Sequence, residues 1–157
     1  MGIMKKTLAL AALCAALAGC SQQAAQQAVK SMLNDPDSAQ FSDMRPGKFD
    51  GDVCGFINAK NRMGGYVGAT RFAYVHSTGS AAILTPAETS DFRMVWLSRA
   101  GSSFVEDITK AQERCYASTQ WNATCTNHPP MQNHKLCDVI RSPGPVLFEA
   151  LRSEFDH

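Results

Sequence analysis

The sequence predicts an α+β fold: an N-terminal helix, a four- to five-stranded antiparallel meander sheet, and one or two further helices packed on it. Three observations carry this. Residues 21–33 place apolar side chains at helical spacing. Between residues 40 and 98, short runs rich in β-branched and aromatic residues alternate with turn-forming Gly, Asn and Ser. Beyond residue 103 the apolar spacing returns to three and four.

The first helix is predicted over Ser21–Leu33, with Ala25, Ala28, Val29, Met32 and Leu33 on one side and Gln22, Gln23, Gln26, Gln27 and Lys30 on the other. Pro36 disfavours helix at Asp35, so the helix stops near Asn34, and Asp35-Pro36-Asp37-Ser38 reads as a turn. A strand follows over Gln40–Met44, broken near Pro46-Gly47. The next, Val53–Ala59, puts Cys54, Phe56 and Asn58 on one face and Val53, Gly55 and Ile57 on the other. Lys60–Gly65 connects to a long strand, Tyr66–His76. Ser77–Ser80 turns back into Ala81–Leu84, Pro86–Asp91 is a loop, and Phe92–Ser98 alternates as a last strand. Short connections between successive strands favour antiparallel pairing.

Ser103 with Glu106 fits a capping box for a helix reaching about Thr119, with Phe104, Ile108, Ala111 and Cys115 as its apolar stripe. Residues 122–142 lack periodicity and hold Pro129-Pro130. A final helix is predicted over Pro145–Phe155, with Pro145 in its first turn and Val146, Leu147, Leu151 and Phe155 toward the core.

At the start of the chain, Lys5 and Lys6 precede an apolar run from Leu8 to Ala18, and Gly19 stands before Cys20. Charged start, short apolar middle and small-residue cleavage site describe a secretory signal over residues 1–19. The run of about 11 residues is too short to span a bilayer, which needs about 20. The remaining residues, 20–157, have the size of a single domain. The whole chain carries 15 Lys+Arg against 14 Asp+Glu. Loss of the two leader lysines leaves this portion near neutrality, and no basic cluster offers a surface to nucleic acid.

Leu17-Ala18-Gly19-Cys20 resembles the lipobox of bacterial lipoproteins. The resemblance implies cleavage before Cys20, a diacylglycerol on its sulfur and a palmitate-class acyl chain on its new amino terminus. That covalent lipid is the expected prosthetic group, with no other cofactor. Ser21, which is not Asp, implies by the same resemblance the outer membrane and its periplasmic face. Because the first helix starts almost at Cys20, the domain is expected close to the bilayer. Asp35–Phe41 and Val53–Gly68 also resemble a small family of exported bacterial proteins without assigned activity. That likeness implies a shared fold and no reaction.

Cys54, Cys115, Cys125 and Cys137 form an even set, which in an exported domain reads as two disulfides. Of three possible pairings, Cys54–Cys115 and Cys125–Cys137 are expected, the first joining helix to sheet and the second clipping the irregular segment 122–142. The chemistry in view is then non-enzymatic binding to an envelope protein. Asn58, Lys60, Asn61 and Tyr66 are the candidate contact residues, at a strand end where Gly64 and Gly65 permit unusual backbone. The alternative is an envelope hydrolase or zinc site built from Cys125, His128, His134 and Cys137, whose paired thiol–imidazole spacing suits tetrahedral coordination. Against it stands the compartment, since oxidation removes the thiolates a metal needs. His76 has no Gly-x-Ser-x-Gly elbow to serve, and no phosphate loop opens a helix.

Overall fold

A computed structural model of the protein describes residues 19–156. The expected leader, residues 1–19, lies outside the described residues but for Gly19. Cys20 is an exposed, unpaired cysteine in the first helix. The architecture is α+β: an N-terminal helix, a four-stranded antiparallel meander and then three helices. Its residues divide into two compact units. Of the described residues, one unit comprises 19–83 together with 124–129; the other comprises Leu84–Ala123 and 130–156.

In the sheet unit, the described part of helix α1 covers residues 19–30. Strands β1 (Gln40–Pro46), β2 (Val53–Asn58), β3 (Thr70–Val75) and β4 (Ser80–Leu84, whose last residue belongs to the helical unit) follow in sequence order. The period of two along β2 assigns its two faces as expected. Val53 and Ile57, with Phe72 and Tyr74 of β3, bury against Ala25 and Val29 of α1. Phe41 meets the Phe72 ring edge-on at 5.6 Å. Met32, expected on the apolar side of α1, is 49% exposed because the helix has already unwound into a turn there.

The other face of β2 is covered by residues 124–129. Cys54 is bonded to Cys125, and the His128 ring lies edge-on to Phe56 at 5.9 Å. The same segment fastens the outer strand: Arg45 Nη1 donates to the Asn127 carbonyl at 2.9 Å, and Asn127 Nδ2 donates to the Pro46 carbonyl at 3.0 Å. Just beyond β1, the Lys48 amide donates to the Thr124 carbonyl at 2.8 Å. β1 carries a register shift between Ser42 and Arg45, with Asp43 at φ +46°. A bulge, a proline and a covering segment are common protections of an edge strand against pairing with another chain.

The helical unit holds α2 (Thr89–Ser98), α3 (Phe104–Thr124, whose last residue belongs to the sheet unit) and α4 (Gly144–Phe155). Its core joins Phe92, Val95 and Trp96 to Ala111, Cys115, Leu136, Ile140, Leu147 and Leu151. Here α2 corrects the sequence reading, which made Phe92–Ser98 a strand. The buried apolar set is Phe92, Val95, Trp96, at spacings of three and one, whereas Met94 and Leu97 are exposed. Asp91 starts the helix by accepting from the Glu88 amide at 2.9 Å, and it also holds Arg114 of α3 at 2.8 Å. Residues read as a loop therefore supply the cap. Val146, expected inward on α4, is 51% exposed, while Leu147 and Leu151 are buried.

The disulfide pairing is also corrected. The bridges are Cys54–Cys125 and Cys115–Cys137, with Cα–Cα distances of 5.7 and 5.4 Å. Cys125 begins the passage that returns to the sheet, so it meets β2 instead of its sequence neighbour. Cys137 lies in a 3-10 turn (Lys135–Asp138) and closes on the inward face of α3.

Candidate functional site

The β2–β3 connection is the most exposed apolar feature of the sheet unit. It leaves β2 at Asn58, and Lys60 and Tyr66 form an isolated antiparallel bridge at its neck. Above the neck, Asn61 closes the loop with its own atoms. Its side-chain oxygen accepts from the Met63 and Gly65 amides at 2.9 and 3.1 Å, and its amide donates to the Gly65 carbonyl at 2.8 Å. Gly64, at φ +78°, takes the left-handed conformation that other residues resist. Asn58 Oδ1 accepts from the Gly68 amide at 3.1 Å. These are the self-capping Asx geometries that make Asn a turn residue.

A second set of bonds ties the loop to the turn following α1. The Lys60 amide donates to Ser38 Oγ at 2.9 Å, and Arg62 Nε donates to Asn34 Oδ1 at 3.2 Å. Gln40 Nε2 donates to the Tyr66 hydroxyl at 3.2 Å, and Lys60 Nζ lies 5.6 Å from the Tyr66 ring centre. That distance is within cation–π range.

Of the four predicted contact residues, Asn58 and Asn61 spend their side chains on the loop's own backbone, Lys60 is half-buried, and Tyr66 is exposed. Two residues that sequence reasoning missed complete the patch. Met63 is 93% exposed and Val67 is 65% exposed, beside Tyr66 at 47%. No local signal marked them: the alternation from Tyr66 reads as strand, whereas β3 starts only at Thr70 and residues 61–69 are all exposed.

The proposed zinc set is not assembled. Cys125 and Cys137 are each oxidised, to different partners, so neither offers a thiolate. His134 Nδ1 accepts from the Leu136 amide at 3.2 Å, Nε2 lies 3.2 Å from Thr89 Oγ1, and the ring stacks on Phe92 at 4.5 Å. His128 is buried, with Nε2 3.3 Å from the Cys54 carbonyl and Nδ1 3.6 Å from Asp43 Oδ2. Among the described residues, no group of three His, Cys, Asp or Glu side chains is placed to hold a metal ion. His76 is exposed, and its ring packs over Gly51, where a Cβ would come within 2.5 Å of it.

The helical unit has an open groove of about 300 Å³ lined by Trp96, Arg99, Pro145, Phe148, Glu149 and Arg152. Arg99 stacks 3.8 Å above the Trp96 ring and donates to the Trp96 carbonyl, and Arg152 is paired with Glu149. Its cations are committed to neighbours on their own helices, which leaves no convergent polar set.

No protein-family model, curated protein or solved structure matches this chain. Two disulfides are consistent with an oxidising extracytoplasmic compartment. No helix among the described residues is long and apolar enough to cross a membrane.

Proposed function

We propose that the protein is a cell-envelope lipoprotein, held by acyl chains on Cys20 to the periplasmic face of the outer membrane, and that it acts without catalysis as a binding, inhibitory or accessory module. Its partner is an envelope protein that docks on the Lys60–Val67 loop. One observation carries the reading: Met63, Tyr66 and Val67 are displayed together on a loop that Asn58, Asn61 and the 34–38 turn hold in one shape. Exposed aromatic and Met side chains on a preorganised element are what protein interfaces favour, since little conformational freedom is lost on docking.

The anchor reading is supported by the leader, by the exposure of Cys20 and by the early burial of Ala25 in the sheet core. The loop is bonded to Asn34, beyond the far end of α1 from Cys20. The intervening helix is on the order of 15 Å long. A module built this way keeps its anchor and its contact loop at opposite ends of one rigid rod.

The test places a photoreactive residue at position 63 or 67 in the full chain, in intact cells, with position 97 as an exposed control on the helical unit. A discrete adduct is expected from 63 and 67, absent from 97 and lost with Tyr66→Ala. Absence of any adduct, or the same adducts from all three positions, overturns the docking loop. The intact mass of the native product tests the anchor separately, by the acyl groups on residue 20.

A further inference from the structure

The two bridges are interleaved in sequence: the first cysteine of the set pairs with the third and the second with the fourth. Their loops span 71 and 22 residues. In an unfolded chain the ease of closure falls as about the three-halves power of loop length. On that scaling, Cys125–Cys137, about 12 residues apart, closes roughly 14-fold more readily than Cys54–Cys125. Cys115–Cys125, about 10 residues apart, is favoured further still. Both favoured closures are non-native. Growth of α3 removes one of them: in a helix ending at Thr124, Cys115 and Cys125 stand about 15 Å apart, beyond the ~7 Å Cα limit of a disulfide. The surviving competitor is Cys125–Cys137, which leaves Cys54 to Cys115.

Passage across a membrane from the N-terminus favours the same wrong product. Cys54 and Cys115 emerge before either native partner of Cys54 or Cys115, so sequential oxidation joins them first. Two independent arguments, chain statistics and order of emergence, converge on Cys54–Cys115 with Cys125–Cys137.

We propose that this protein matures through that mispaired state and is a substrate of a thiol–disulfide isomerase, a reduced dithiol protein of the compartment in which it folds. The chemistry is redox-neutral and takes three exchanges. The isomerase thiolate attacks Cys137 Sγ, forming a mixed disulfide and releasing Cys125 as thiolate. Cys125 attacks Cys54 Sγ, making Cys54–Cys125 and releasing Cys115. Cys115 attacks Cys137 Sγ in the mixed disulfide, making Cys115–Cys137 and returning the isomerase thiolate. The number of thiols and disulfides is the same before and after.

The inference rests on the extracytoplasmic reading only for where the isomerase resides, and its test does not use export. The reduced, unfolded chain from Ser21 to His157, which carries all four bridge cysteines, is diluted into a strong disulfide oxidant free of thiols. Parallel samples receive a catalytic amount of reduced isomerase or a glutathione buffer run to equilibrium, and bridges are mapped by non-reducing digestion and mass spectrometry. With oxidant alone, native pairing is expected in no more than about one third of chains, the share of one pairing among three. Isomerase is expected to raise it about threefold, and the glutathione sample to reach the same product. Native pairing in nine-tenths of chains with oxidant alone overturns the proposal. So does a mispaired product that isomerase leaves unchanged, and so does an equilibrium product with other bridges.

Discussion

Asp91 is 7% exposed, yet it serves two elements. It accepts from the Glu88 amide at the start of α2 and from Arg114 on α3, so a single carboxylate satisfies an orphan helix donor and neutralises a half-covered guanidinium. Removing it leaves both unpaired. Asp91→Ala is expected to destabilise the fold by about 2–4 kcal/mol, combining loss of a cap with loss of one partner of a largely buried pair. Asp91→Asn, which keeps an acceptor for the amide, is expected to cost clearly less. Denaturant midpoints of the two variants check this, and equal losses would mean that the charge carries the whole effect and the amide acceptor nothing. The carboxylates Glu88 and Asp91 look scattered in sequence, and a helix cap three residues long was hidden because the helix itself was not recognised.

At the scale of elements, the meander was legible and α2 was not. β2 and the β3–β4 hairpin announce themselves by alternation and by turn residues, and β2 displays the two faces that a period of two assigns. Phe92–Ser98 offers apolar residues at positions 92, 94, 95, 96 and 97, which satisfies a strand template and a helix template alike. The structure selects the helix because Phe92, Val95 and Trp96 then face one core. The two readings differ in a measurable way. In a strand, Met94 shares a face with Phe92 and Trp96; in the helix it is 51% exposed and Val95 is buried instead. Val95→Ala is therefore expected to cost about 2 kcal/mol and Met94→Ala less than about 0.5 kcal/mol, read from chemical denaturation. A reversed order would restore the strand. The contact loop was half legible on similar grounds. Its Asn and Gly residues mark a structured turn, but the exposure of Met63 and Val67 depends on where β3 begins, and nothing in the local pattern fixes that.

For the whole molecule, the cysteine count was readable and the connectivity was not, because connectivity depends on a chain path. Residues 124–129 leave the helical unit, complete the sheet unit and depart again, and no periodicity in that stretch advertises the excursion. The two bridges accordingly close loops of different length, and their removal is expected to differ. In the chain-entropy account, a 71-residue loop contributes about 4 kcal/mol and a 22-residue loop about 3 kcal/mol. The double variant Cys54→Ser with Cys125→Ser is thus expected to melt lower than Cys115→Ser with Cys137→Ser, each some 10 °C below the parent. Differential scanning under oxidising conditions measures both, and the opposite ranking would show that native-state packing outweighs chain entropy here.

The excursion of residues 124–129 has a practical consequence for dissecting the protein. A fragment cut after Leu84 retains α1 and all four strands, yet it lacks the segment that covers the second face of β2 and closes against β1. Such a piece would expose Phe56 to water and leave Cys54 as an open thiol. The smallest self-sufficient version of the sheet unit is therefore a spliced one, in which the six-residue strap is grafted behind β4 by an engineered linker in place of the two helices that normally deliver it.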